Sequence, residues 1–178
     1  EFAPDQRLPA LTESVIPFLT RHLGPARVDT ALQKLQAVSN ADAEKIRPFD
    51  GVVDLISHLR GNGSQIAVWT NRDLESTRLI LKHSGLDPLV DLCVSGSCVE
   101  NRKPDPEGLT RITRQFGCRA EEVTMVGDHD HDVNAGQAGG ARTIRASWHT
   151  YWTADPCRKA HRQFHTVSEF SQWLKGRE

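Results

Sequence analysis

Near the amino terminus, apolar residues return every three or four positions. Leu11, Val15, Phe18, Leu19 and Leu23 keep to one helical face, and the pattern stops at Gly24-Pro25. The first predicted element is therefore an amphipathic helix with a sharp end. A second helix is expected over residues 28–38. After Pro48, the run Val52, Val53, Leu55, Ile56 and Leu59 predicts a third, closed by Gly61-Asn62-Gly63. The period then changes. Residues 65–69 form a short apolar run ending in Thr70-Asn71, and a helical pattern resumes at Asp73 and closes near Gly85. Further strands are expected at 92–94, 123–126 and 143–144, with helices at 107–116 and 132–138. Strands alternating with helices predict right-handed crossovers and an α/β fold with a doubly wound parallel sheet. Beyond residue 148, a short strand is expected near His165-Thr166-Val167, then a last helix carrying Phe170, Trp173 and Leu174 as packing residues. Trp148, Tyr151 and Trp152 are read as core or cap contacts. Arg158-Lys159-Ala160-His161-Arg162 is read as a solvated helix face.

In such sheets ligands sit at the carboxyl ends of the strands. Thr70 follows one strand, Lys103 lies in the loop after another and Asp128 follows a third, which places a hydroxyl, an ammonium and a carboxylate at one sheet edge. The densest chemistry is Val126-Gly127-Asp128-His129-Asp130-His131-Asp132, a strand end opening onto acidic residues at every second position. Carboxylates so close repel one another, so the pattern makes sense where a cation or a strong hydrogen-bond network offsets the repulsion. It points to a hard metal ion. Each residue also has a plainer reading. Asp128 and Asp132 suit a helix amino terminus, Thr70 suits a helix cap, and Lys103 suits a surface loop stiffened by Pro104 and Pro106. His129 and His131 read as polar loop residues rather than metal ligands.

Length and charge narrow the picture. A chain of 178 residues suits one α/β domain with a small appendage, and a formal charge of -1 supplies no field for nucleic acid or an anionic membrane. Cys93, Cys98, Cys118 and Cys157 form no zinc-type pair and read as reduced thiols of a cytoplasmic protein. No apolar run suggests a membrane span. The chain starts Glu1-Phe2 and its single methionine is Met125, so it is not expected to be a primary translation product as written. Oligomeric state has no signature in the sequence.

Three segments together, Ala67-Val68-Trp69-Thr70-Asn71, Asn101-Arg102-Lys103-Pro104-Asp105-Pro106 and Val126 to Gly136, resemble the haloacid dehalogenase (HAD) superfamily in order and spacing. The resemblance covers roughly residues 49–146 and is closest to the phosphatase, phosphoglycolate phosphatase-like, branch. It implies a Rossmann-like core made of residues 1–9 and 49–178 with a small helical cap at 10–48. It also implies Mg²⁺-dependent hydrolysis of a phosphate monoester on a small metabolite. By position, Thr70 would hydrogen-bond a phosphoryl oxygen with Asn71 beside it, Lys103 would neutralise phosphate charge, and Asp128 and Asp132 would hold the metal. Phosphoryl transfer needs positioning and charge neutralisation more than covalent machinery, and an acidic loop offers the hard oxygens Mg²⁺ prefers.

The first motif departs from the family. The best ungapped match, Phe2-Ala3-Pro4-Asp5-Gln6-Arg7-Leu8, puts Asp5 at the general acid position, where it would also be a metal ligand. It puts Ala3 at the nucleophile position. Alanine cannot attack phosphorus. Two explanations stay open: a degenerate member that binds without forming an aspartyl-phosphate, kept for ligand binding or assembly, or an accidental match with the true motif and first strand lying upstream. A missing central strand would leave two unpaired edges.

Overall fold

The protein is described by a computed structural model that covers residues 20–43, 45–148 and 160–176. Ala3, Asp5, Tyr151, Trp152 and Cys157 lie outside these residues, as does most of the expected first helix. The chain divides into two compact units, residues 1–44 and 45–178.

In the first unit, residues 20–23 are helical and stop at Gly24, whose amide bonds Thr20 O at 3.0 Å. A short 3₁₀ turn, Pro25–Arg27, leads into α1, Val28–Ala43. This helix runs five residues past its expected end at Val38. Val28 is its buried anchor, packed with Leu23, Ala31 and Leu32.

In the second unit, elements alternate as the sequence predicts: α2 Val52–Gly61, β1 Ala67–Trp69, α3 Leu74–His83, β2 Leu92–Val94, α4 Glu107–Phe116, β3 Thr124–Gly127, α5 Asp130–Ala138, β4 Arg142–Ala146, β5 Arg162–Phe164 and α6 Val167–Lys175. Local chemistry sets the ends. The Asp73 side chain accepts from Ser76 N at 2.9 Å and starts α3, while Gly117, in the left-handed region at φ 65°, closes α4. Every described strand pair is parallel. The described strands fall into two sheets, β1-β2 and β3-β4-β5, and among the described residues none joins β1 to β3.

Successive strand residues face opposite sides, and the two cores follow that rule. Trp69, Val94, Leu109, Ile112, Ala135 and Ala141 form one cluster, on the side where Thr143 meets α5 at Gly136. Ile144 packs with Leu55, Val167 and Phe170 in the other, beneath α2 and α6. Each Leu, Ile, Val or Phe side chain among these, taken fully out of water, contributes roughly 1.5–3 kcal/mol.

Three expectations need correction. Helix α5 starts at Asp130 rather than Asp132, because the His129 ring caps it. The late strand lies at Arg162–Phe164, and Thr166 instead caps α6 through a reciprocal box with Glu169. Arg162 is therefore a strand residue, with its guanidinium 5.3 Å from the Trp173 ring centre, and not part of a solvated helix face. Trp148 packs in the α6 core, stacked 6.2 Å from Phe170.

Candidate functional site

The strand ends converge. A cavity of about 390 Å³ is lined by Trp69 at the end of β1 and Thr70 and Asn71 after it, by Lys103, by Met125 to Gly127 of β3, and by Asp128, His129, His131 and Asp132. Thr70, Asn71, Lys103, Asp128 and Asp132, all named from the sequence, thus border one space. A second depression of about 370 Å³, between α2 and α6, is lined by Asp50, Asp54, His58 and Lys175 among others and holds none of these residues.

Lys103 is the centre of the arrangement. Its side chain is only 8% exposed, and Nζ donates to Trp69 O at 2.7 Å and to Asp132 Oδ1 at 2.6 Å. The ammonium also lies 5.4 Å from the Trp69 ring centre. The surface-lysine reading is thereby excluded. Its backbone is held from 32 residues away: Asn71 Nδ2 donates to Lys103 O at 3.0 Å, and Lys103 N donates to Asn71 Oδ1 at 2.9 Å. Asn71 thus spends both ends of its amide on the lysine loop, a role that nothing in its local sequence signals.

Thr70 continues the β1 ladder through its amide to Val94 O at 3.0 Å, and its Oγ1 accepts from Arg72 N at 3.1 Å. That leaves the hydroxyl proton to donate toward the cavity. The cap of α3 is Asp73, so Thr70 is not needed for it.

The acidic loop is ordered by its own hydrogen bonds. His129 Nδ1 accepts from His131 N at 3.1 Å, and Asp132 Oδ2 accepts from His129 N at 3.0 Å, forming a reciprocal cap. Both Asp132 oxygens are therefore engaged, and its side chain is 10% exposed. The helix-terminus reading of Asp132 and its place beside Lys103 hold at once. The rings of His129 and His131 are 4.4 Å apart. Burial, reinforced by the neighbouring His129, holds the His131 imidazole below the usual histidine value. Asp128 is exposed at the cavity mouth. Asp130 pairs with Arg145 at 2.8 Å. Sequence reasoning missed Arg145, although a charge inside a buried strand was a usable signal.

Among the described residues, no three His, Cys, Asp or Glu side chains close on one point as a metal site would require. The donor chemistry still fits a hard cation in part. Asp128 and Asp132 are oxygen donors at one cavity, and Mg²⁺ commonly takes only one or two carboxylates and keeps several waters.

Residues 12–146 match the model of a haloacid dehalogenase-like hydrolase family. Among curated proteins, a pyrophosphatase PpaX from Halalkalibacterium halodurans is 33% identical over 76% of this chain and 61% of its own length. A PpaX from Bacillus cereus is 32% identical over 59% of this chain and 49% of its own. The chain thus spans about half to three fifths of these relatives. Among solved structures, a HAD-superfamily hydrolase from Geobacter sulfurreducens matches at TM-score 0.60 and 26% identity, covering 70% of this chain and 60% of that one. CbbY from Rhodobacter sphaeroides, in complex with phosphate, matches at TM-score 0.81 over 95% and 80% of the two chains, and at 19% identity that likeness is one of fold.

Proposed function

The chain belongs to the haloacid dehalogenase-like hydrolase family, and on that footing we propose that its cavity binds the phosphoryl group of a small phosphorylated metabolite together with Mg²⁺. The observation that carries this reading is the buried Lys103 ammonium, held between Trp69 O and Asp132 in the cavity that Thr70 also lines. An ammonium has three N–H donors, and Trp69 O and Asp132 Oδ1 take two of them, so a third can go to a phosphoryl oxygen.

In this reading Thr70 donates to one phosphoryl oxygen and Lys103 neutralises charge on another. Asn71 keeps Lys103 in place and shapes the binding edge. Asp128 and Asp132 hold the cation, with Asp5 as the third carboxylate. When bound, Mg²⁺ supplies charge neutralisation for the phosphoryl oxygens. The relatives named pyrophosphatases make inorganic pyrophosphate the first compound to test. The segment 10–48 takes the part of a cap, and the free thiols at Cys93, Cys98 and Cys118 suit a cytoplasmic setting.

Ala3 favours a second reading, in which the site binds but does not turn over, because an alanine at that position cannot form an aspartyl-phosphate. An aryl phosphate assay with Mg²⁺ separates the two. The binding-only reading expects no hydrolysis above a buffer blank and measurable turnover after Ala3→Asp. Robust activity in the unmodified chain, lost in Asp128→Asn, would instead establish a working phosphatase.

A further inference from the structure

Strand β4 and the residue after it carry polar side chains at alternate positions where a buried parallel strand is normally apolar: Thr143 and Arg145 of β4, and Ser147 just past its end, are all buried. Arg145 is the most expensive of them, since its guanidinium cannot shed its proton and its side chain is only 6% exposed. Nη1 donates to Asp130 Oδ1 at 2.8 Å, yet Asp130 is 66% exposed and needs no buried partner to keep its charge. A cation beside the amino terminus of α5 also opposes the helix dipole. Asp130 gives the buried guanidinium its partner, and the same contact fixes where the Asp130 carboxylate points.

The geometry is specific. Arg145 lies opposite Gly127 in the β3-β4 register, beside the residue from which the acidic loop departs. Of the carboxylates in that loop, Asp132 is neutralised by Lys103 and Asp130 by Arg145, while Asp128 stays exposed at the cavity. We propose that Arg145 is a positioning residue of the cation site: it pins Asp130 away from the ion, so that Asp128 and Asp132 alone of this loop face it. This rests on the metal reading above and adds that Asp130, although central in the acidic run, is a strut and not a ligand.

The test is a Mn²⁺ titration, followed by the paramagnetic signal of the free ion, on the unmodified chain and on Asp130→Asn, Arg145→Gln, Arg145→Lys and the Asp130→Asn/Arg145→Gln double variant. Affinity should fall about tenfold in Asp130→Asn and Arg145→Gln, the range seen for groups that orient metal ligands. The double variant should be no worse than either single one, and Arg145→Lys should recover most of the loss. A role in folding alone would lower the thermal midpoint and leave Mn²⁺ affinity unmoved, and that result overturns the proposal, as do losses that add in the double variant. Amide exchange at Asp132 and Val133 reads the strut without any metal, and Asp130→Asn should accelerate it. If the unmodified chain takes up no Mn²⁺, the metal reading fails. The strut then stands on faster exchange in Asp130→Asn and falls if exchange is unchanged.

Discussion

Gly127 shows how tightly the site is built. A Cβ at this position would lie 2.3 Å from Asp132 Cβ and 2.6 Å from its carboxyl carbon, too close for any side chain to be tolerated in place. The glycine lets α5 start against the end of β3 and puts the Asp132 carboxylate within reach of Lys103. Gly127→Ala should cost about 1–3 kcal/mol, the usual range for overpacking, read as a lower thermal midpoint, and should weaken the proposed cation binding because Asp132 must move. At this scale the sequence was informative wherever a residue follows a strand directly. Thr70, Lys103 and Asp128 were placed at one edge by the strand-end rule, and the structure brings them to one cavity. What stayed hidden depends on distant pairing. The Asn71 amide clamp spans 32 residues, and Arg145 reaches Asp130 across 15. No local spacing encodes contacts of that kind.

Elements follow their local signals closely, and the misplacements trace to capping. The run His165-Thr166-Val167 looks like a strand by its β-branched residues, yet Thr166 and Glu169 bear the spacing of a capping box, and that box wins. Likewise His129 is an unusual cap, so the earlier start of α5 had no standard sequence sign. Side-chain clamps also join elements. Asp91, just before β2, accepts from Ile66 N at 2.7 Å and pairs with Arg60 at the end of α2. The Arg60 hydrogen bond first, and the Ile66 amide second, hold its carboxyl below the usual aspartate value. A carboxylate whose folded value is depressed adds stability that is present above the unfolded value, about 3.9, and is lost as the pH falls through the folded one. Asp91→Asn should therefore lower the thermal midpoint at neutral pH, and the gap between variant and parent should close as the solution is acidified below pH 4, a convergence that midpoint measurements across pH can follow.

For the whole molecule, the pattern of strands and helices was enough to give the class, a parallel α/β fold, but not the strand order. Hydrophobic alternation reports which face a side chain takes and says nothing about which strand lies next to it. The pairing observed is uneven. Strand β4 has a hydrogen-bonded neighbour on each side, whereas β1 and β3 each have one among the described strands. Val126, in the middle of β3, is 37% exposed on the face it shares with buried Ile144. Protection from hydrogen exchange should accordingly be greatest at Thr143 to Ala146 and weaker along β1 and β3, and mass-spectrometric exchange with peptide resolution would show the order. Ile144 of β4 is anchored by Leu55 of α2 and by Val167 and Phe170 of α6. No helix of the described residues is long and apolar enough to cross a membrane.

We propose that the Lys103–Asp132 pair marks a phosphoryl-binding site, and calorimetric titration with inorganic phosphate in the presence of Mg²⁺ tests this most directly. Saturable binding is expected of the unmodified chain, at least tenfold weaker in Lys103→Met and reduced in Thr70→Val. Lys103→Met binding phosphate as tightly as its parent, or no binding by the folded parent, would contradict it.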